Sequence, residues 1–251
     1  MRILLTNDDG IHAPGLELLE AIAAELSDDV WVCAPAEEQS GAGHSLTLHM
    51  PVRLRQYGDR RFAVTGTPTD AVNLGLRKLF ADRKPDLVIS GINAGENLAD
   101  DVTYSGTISA AMEGALAGIP AIALSQAQRD GVKDFAAADG WAERVLRVLA
   151  ATPMAKRTLI NVNFPDVAAD QVKGIRVARQ GFHDYERGSL IEGTDPRGRP
   201  YYWFGLEEME HTLDHGSDLE AVADGYVSVT PLQLDFTHYA ALGALADRFS
   251  D

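Results

Sequence analysis

Two carboxylates stand side by side, Asp8 and Asp9, in the opening run MRILLTNDDGIHAPGL, directly after the apolar stretch from Ile3 to Leu5. At about 4 Å two such charges repel by roughly 1 kcal/mol in water and about 4 in a medium of dielectric near 20, so a compensating cation is expected close by. Asn7, Asp8, Asp9 and Gly10 are also the residue types that make tight turns, and a plain turn stands as the alternative.

Other segments that follow apolar runs carry the neutral oxygens such a cation needs. SGINAGENLADD supplies Ser90, Asn93 and Asn97, and APAEEQSGAGHS supplies Ser40. Carboxylates combined with amide and hydroxyl oxygens suit a hard divalent ion such as Mg²⁺ or Mn²⁺. In TYSGTISAA, Ser105, Gly106 and Thr107 sit where a loop enters a helix, and the first N–H groups of a helix lack partners and attract anions such as phosphate. Plain N-capping by Ser105 or Thr107 is the competing explanation. GTPTDAV, with Thr67 before Pro68 and Asp70 three residues on, reads as a structural capping box. His211 and His215 in HTLDH lack the glutamate of a zinc-binding HExxH helix and are not read as a metal site. His12 and His44 lie in loops near the acids, where substrate orientation, proton transfer and simple local hydrogen bonding all remain open.

The elements that must position these residues alternate. RILLT reads as a buried strand, PGLELLEAIAAEL as a helix with Leu16, Leu19, Ile22 and Leu26 on one face, and VWVCAP as a second strand. SLTLHM, VRLRQY and FAVT read as short strands of a side hairpin. PTDAVNLGLRKLF is a helix, DLVIS a strand, TISAAMEGALAG a small-residue helix closed by Gly118, and PAIALS a strand. A helix from Phe135 to Ala151 and the strand TLINVNF follow. This alternation argues an α/β fold, a Rossmann-like doubly wound and mostly parallel sheet, over residues 1–165. In such a sheet ligands sit beyond the carboxyl ends of the strands, where NDDG falls. Residues 166–251 change character, with strand-like GIRVARQ, a polar glycine-rich arm, aromatic YYWFG, strand YVSVTPL and an amphipathic helix near Tyr239 to Phe249. They read as an accessory region packed on the core, whose aromatics Tyr201, Tyr202, Trp203 and Phe204 suit a core or subunit contact better than base stacking.

The 251 residues, with a formal charge of −15, suit one elaborated domain that avoids nucleic-acid polymers and anionic membranes. The one cysteine, Cys33, is expected to be a buried thiol, and no internal disulfide is possible. The short apolar start does not read as a signal peptide, and no run approaches 20 apolar residues, so a cytoplasmic location is expected.

The ordered set ILLTNDDGIHAPGL, APAEEQSGAGHSLT, GTPTDAV, LVISGINAGENLADDVTYSGTISAAMEGALAGIPAIALS, NVNFP, DPRGRPYYW and GYVSVTPL resembles the SurE family of survival proteins, metal-dependent 5'-nucleotidases, nearly end to end. The resemblance implies one divalent cation per subunit, Mg²⁺ or Mn²⁺, held by Asp8, Asp9, Ser40 and Asn93. It implies a phosphate pocket at Asn97, Ser105, Gly106 and Thr107, and catalysis centred on Asp8 and Asp9. The expected substrate is a nucleoside 5'-monophosphate, with 3'-nucleotides and short polyphosphate left open, and the expected assembly a homodimer or homotetramer. Two rivals remain: a phospho-receiver module, which needs an acceptor aspartate at a later strand end where Ser90 stands, and a scaffold whose surface matters more than catalysis.

Overall fold

The structure, a computed structural model, describes residues 1–128, 134–183, 188–206 and 214–250. His211 and the side chain of Phe204, both singled out above, lie outside what it describes. The first half runs β1 (Arg2–Thr6), α1 (Pro14–Ala24), β2 (Asp29–Pro35), β3 (Leu54–Gly58), β4 (Arg61–Val64), α2 (Pro68–Lys78) and β5 (Leu87–Ala94). It continues with α3 (Gly106–Leu116), β6 (Ala121–Gln126), α4 (Ala136–Ala150), β7 (Thr158–Phe164) and β8 (Ile175–Val177). Last come β9 (Gly188–Thr194), β10 (Pro200–Leu206), α5 (Asp218–Ala223), β11 (Val227–Gln233) and α6 (Tyr239–Arg248).

Nine strands form one sheet in the order β3-β4-β2-β1-β5-β6-β7-β11-β8, parallel from β4 through β7. The expected doubly wound α/β fold is therefore present. Alternation along each strand sends side chains to two apolar layers. Ile3, Leu5, Ile89, Ile122 and Val162 pack with α1 and α4, whereas Leu4, Val88, Ala121, Ala123 and Leu159 pack with α2 and α3. Pro14 opens α1, where its missing N–H costs nothing. Leu16, Leu19 and Ile22 are then buried, each contributing on the order of 1.5–3 kcal/mol. Thr67 and Asp70 form the capping box read from GTPTDAV, with Asp70 N–H donating to the Thr67 hydroxyl and Thr67 N–H to the Asp70 carboxylate.

Two details depart from the sequence reading. SLTLHM forms no strand: Leu46, Leu48 and Met50 are exposed, and the Thr47 N–H is satisfied by the Asp70 carboxylate at 3.1 Å instead of a neighbouring strand. The hairpin shrinks to β3 and β4 and joins the edge of the main sheet through parallel pairing of β4 with β2. β8 and β11 also run in the main sheet, β11 lying antiparallel to β7. Only β9 and β10 stand apart, as a two-stranded antiparallel ribbon. No described helix is long and apolar enough to cross a membrane.

Candidate metal and phosphate centre

The order of the sheet reverses at β1, whose neighbours β2 and β5 lead the chain in opposite directions, and this opens a crevice at the strand ends. Facing α3, the sheet turns from apolar to polar as it approaches that edge. Leu4 gives way to Thr6 and then Asp8, Val88 to Ser90, Ala123 to Ser125, and Leu159 to Asn161 and Asn163, all of them buried.

The turn alternative for NDDG and the site reading are both realised, by different side chains. Asn7 makes the turn: its amide donates to Gly10 O at 2.9 Å while its Oδ1 accepts from Gly10 N–H at 3.2 Å. Asp8 and Asp9 are the two central residues of that turn, and their carboxylates take no part in closing it. Asp8 is only 5% exposed and has no ion pair with any described residue. Burial pushes its pKa up to about 6; the Thr107 hydroxyl, donating to its Oδ1, opposes the rise and the charge on Asp9 adds to it. Asp9 Oδ2 accepts from Ala94 N–H at 3.3 Å, which joins the acid pair to the end of β5.

A bulge in β5 delivers Asn93. Its register against β6 shifts between Ser90 and Asn93, where Gly91 has φ +140° and a Cβ would lie 2.3 Å from Leu124 O, so only glycine can turn the chain there. The Asn93 amide nitrogen donates to Gly95 O at 2.8 Å, and its Oδ1 accepts no bond among the described residues. Ser40 arrives on the loop after β2. Gln39 N–H donates to Asp8 O at 2.8 Å and Gly43 N–H to Tyr104 O at 3.1 Å, while His44 Nε2 meets Glu113 Oε1 at 2.6 Å. Ser40 itself is exposed, with its hydroxyl donating to Glu38 Oε1 at 2.9 Å.

At the start of α3, Ser105 does cap the helix, accepting from Ile108 N–H at 3.1 Å, so its hydroxyl is committed there. Gly106 presses on the acid: a Cβ at this position would lie 2.7 Å from Asp8 Cβ and 2.9 Å from Asp8 Oδ2. Direct contacts thus join Asp8 to Thr107, Gly106 and the Gln39 N–H, and Asp9 to the Ala94 N–H, which leaves Ser40 and Asn93 each one residue from a contact with the acid pair. Asn97 belongs to a different set. Its amide donates to Ser125 Oγ at 2.8 Å, its N–H to Asn163 Oδ1 at 2.8 Å, and its carbonyl accepts from Asn161 and Asn163. That network escaped the sequence reading, although polar residues at alternate positions of the strand NVNF were its signal. Of the histidines, His12 packs edge-on against Tyr57 and His215 pairs with Glu220 at 3.2 Å.

The donor set fits a hard divalent cation. No three His, Cys, Asp or Glu side chains among the described residues cluster to hold a metal, so the two acids need neutral oxygens, which Asn93 Oδ1 and the Ser40 hydroxyl can offer.

A family model described as "Survival protein SurE" matches residues 3–187. The chain belongs to the SurE family. It is 65% identical to the 5'-nucleotidase SurE of Erythrobacter litoralis over 99% of this chain and 100% of that one. It is 58% identical to the 5'-nucleotidase SurE of Rhizorhabdus wittichii, over 97% and 98% of the two chains. The crystal structure of the SurE protein from Aquifex aeolicus superposes with a TM-score of 0.87 at 40% identity, each chain covered in full. The SurE fold therefore extends across the whole molecule, C-terminal elements included.

Proposed function

We propose that this SurE chain is a metal-dependent 5'-nucleotidase, a phosphomonoesterase that converts nucleoside 5'-monophosphates to nucleoside and inorganic phosphate. Two relatives called 5'-nucleotidase SurE, similar along nearly their entire length, support the activity. The observation that carries it in the structure is the contact between the first residue of α3 and the buried Asp8 carboxylate. A helix start favours a nearby carboxylate as it favours phosphate, and a cation on Asp8 and Asp9 would let both negative groups share that start by offsetting their repulsion.

In this reading Asp8, Asp9, Ser40 and Asn93 hold one Mg²⁺ or Mn²⁺ per subunit. Such an ion, when bound, neutralises phosphate charge and lowers the pKa of a bound water. The chain's own residues supply the positioning. Asn7 and Gly10 fix the turn that carries both acids, and Thr107 orients Asp8 through its hydroxyl. The start of α3 receives phosphoryl oxygens with its N–H groups, and Ser105 keeps that helix start in shape. Asn97, held by Asn163 on β7 and Ser125 on β6, completes the phosphate pocket in this reading.

The reading includes a cytoplasmic enzyme, a catalytic core over residues 1–165 and an accessory region over 166–251 that builds a homodimer or homotetramer. Support for the assembly comes from exposed apolar surface: Leu190, Ile191, Tyr201, Tyr202 and Trp203 on the ribbon, and α6, which buries none of its residues. The deciding experiment is phosphate release from AMP, GMP and CMP after EDTA treatment and re-addition of Mg²⁺ or Mn²⁺. Release that returns with metal is expected; none from any monophosphate with either ion overturns the reading.

A further inference from the structure

Beside the metal loop lies a cleft of about 340 Å³ at the carboxyl ends of β2 and β4, roofed by the segment between β2 and β3. Its volume is at the lower end of small-molecule pockets. Most of its hydroxyls are already committed: Thr47 to Asp70, Thr65 to the N–H of Arg53, and Thr67 to Ser45 O. Three polar side chains that line it, Glu37, Gln39 and Arg55, have no hydrogen bond or ion pair among the described residues. Met50 and Val64 add an apolar wall.

The segment from Glu37 to Ser40 has two faces. Glu37 and Gln39 line the cleft, whereas Glu38 and Ser40 bond to each other on alternate positions, and Ser40 is the residue assigned to the cation. Gln39 also fastens the segment to the acid turn through Asp8 O at 2.8 Å, and the Glu37 backbone packs on Gly10. One short stretch therefore carries a metal-side residue and a cleft-side residue next to each other, the relation that the 5'-phosphate of a nucleotide bears to its nucleoside.

We propose that this cleft is the nucleoside subsite, with Arg55 and Glu37 reading the edge of a purine base and Met50 covering its face. The proposal rests on the nucleotidase reading above and adds where the base is recognised. An arginine fork matches O6 and N7 of guanine, and a carboxylate accepts from its N1–H and exocyclic amine. Adenine offers the carboxylate no N1–H, so GMP is preferred to AMP. A polymer is disfavoured, because tracking a phosphate backbone takes a basic groove and the chain carries −15.

The test compares kcat/KM for GMP and for ribose 5-phosphate, which has the phosphate and sugar but no base. Wild type should favour GMP at least tenfold, and Arg55→Ala or Glu37→Ala should each cut that ratio about tenfold. The ratio is the readout because any general loss of metal or fold cancels in it. Calorimetry with guanosine, which lacks phosphate, should show binding to wild type and none to Arg55→Ala. A ratio unchanged in both variants, or a wild type indifferent to the base, overturns the subsite. If no phosphate is released from ribose 5-phosphate or any nucleotide, the nucleotidase reading is what fails, and guanosine binding by itself then decides the subsite.

Discussion

The hydroxyl of Thr107, second residue of α3, donates to Oδ1 of the buried Asp8 across 99 residues of sequence. The helix start and the acid turn are thereby one unit: what holds the acid also fixes the frame on which phosphate would sit.

Thr107→Val removes this donor with little change of volume. A hydrogen bond to a charged group contributes about 1.5–3 kcal/mol, so Mn²⁺ should bind at least tenfold more weakly and turnover should fall with it. Thr107→Ser, which keeps the donor, should restore most of both. Titration calorimetry checks this; an unaltered dissociation constant in the valine variant would remove Thr107 from the metal centre.

Asp8→Asn and Asp9→Asn should each abolish most phosphatase activity while the fold persists. For Asp8 the metal-free protein should also melt higher, because the substitution removes a desolvated charge that has a hydroxyl donor in Thr107 but no cation among the described residues. A gain of about 1 kcal/mol corresponds to roughly 2–4 °C in a chain of this size. Addition of Mn²⁺ should raise the melting temperature of wild type and leave the asparagine variant unmoved.

Gly106→Ala places a methyl group 2.7 Å from Asp8 Cβ, inside contact distance. Alanine is a better helix former than glycine, so the helix itself gains while the acid is displaced. Loss of metal binding with near-normal circular dichroism is the expected pattern, and metal binding at wild-type affinity would show that the contact does not shape the site.

Cys33 is fully buried on β2, its thiol donates to Ala71 O at 3.2 Å, and burial pushes its pKa up to about 12. The native protein should not react with a thiol reagent such as DTNB, and one equivalent should appear in denaturant. Rapid reaction of folded protein would contradict the packing.

Truncation before Asp235 removes α6, whose Tyr239, Leu242 and Leu245 are exposed. Light scattering should report a smaller assembly than full length, with β1 to β7 still giving a cooperative melt. An unchanged mass would place the subunit contact elsewhere.

Residues that advertise themselves by type were legible in the sequence. The acid pair, the capping box and the α/β alternation each rest on a local pattern, and a parallel sheet buried on both faces writes its strands as apolar runs. SLTLHM alternates like a strand, but Leu46, Leu48 and Met50 are exposed there and the Thr47 N–H is bonded to the Asp70 carboxylate, so no strand forms. Contacts such as Thr107 with Asp8, or Asn97 with Asn161 and Asn163, join residues far apart in sequence, and no local period encodes them. Asn97, which the family resemblance assigns to the phosphate pocket, has its amide held by Ser125 on β6.

The place of β11 in the sheet governs how the chain can be made. This strand lies between β7 and β8 although it is the last to be synthesised, so while the ribosome is still translating, the edge of β7 has no neighbour and presents Asn161 and Asn163 on open backbone. A bare strand edge templates pairing with other chains, and non-local pairing is slow. A chain that stops short of Val227 would therefore expose the β7 edge with most of its sheet built, and β11 is the strand that covers it.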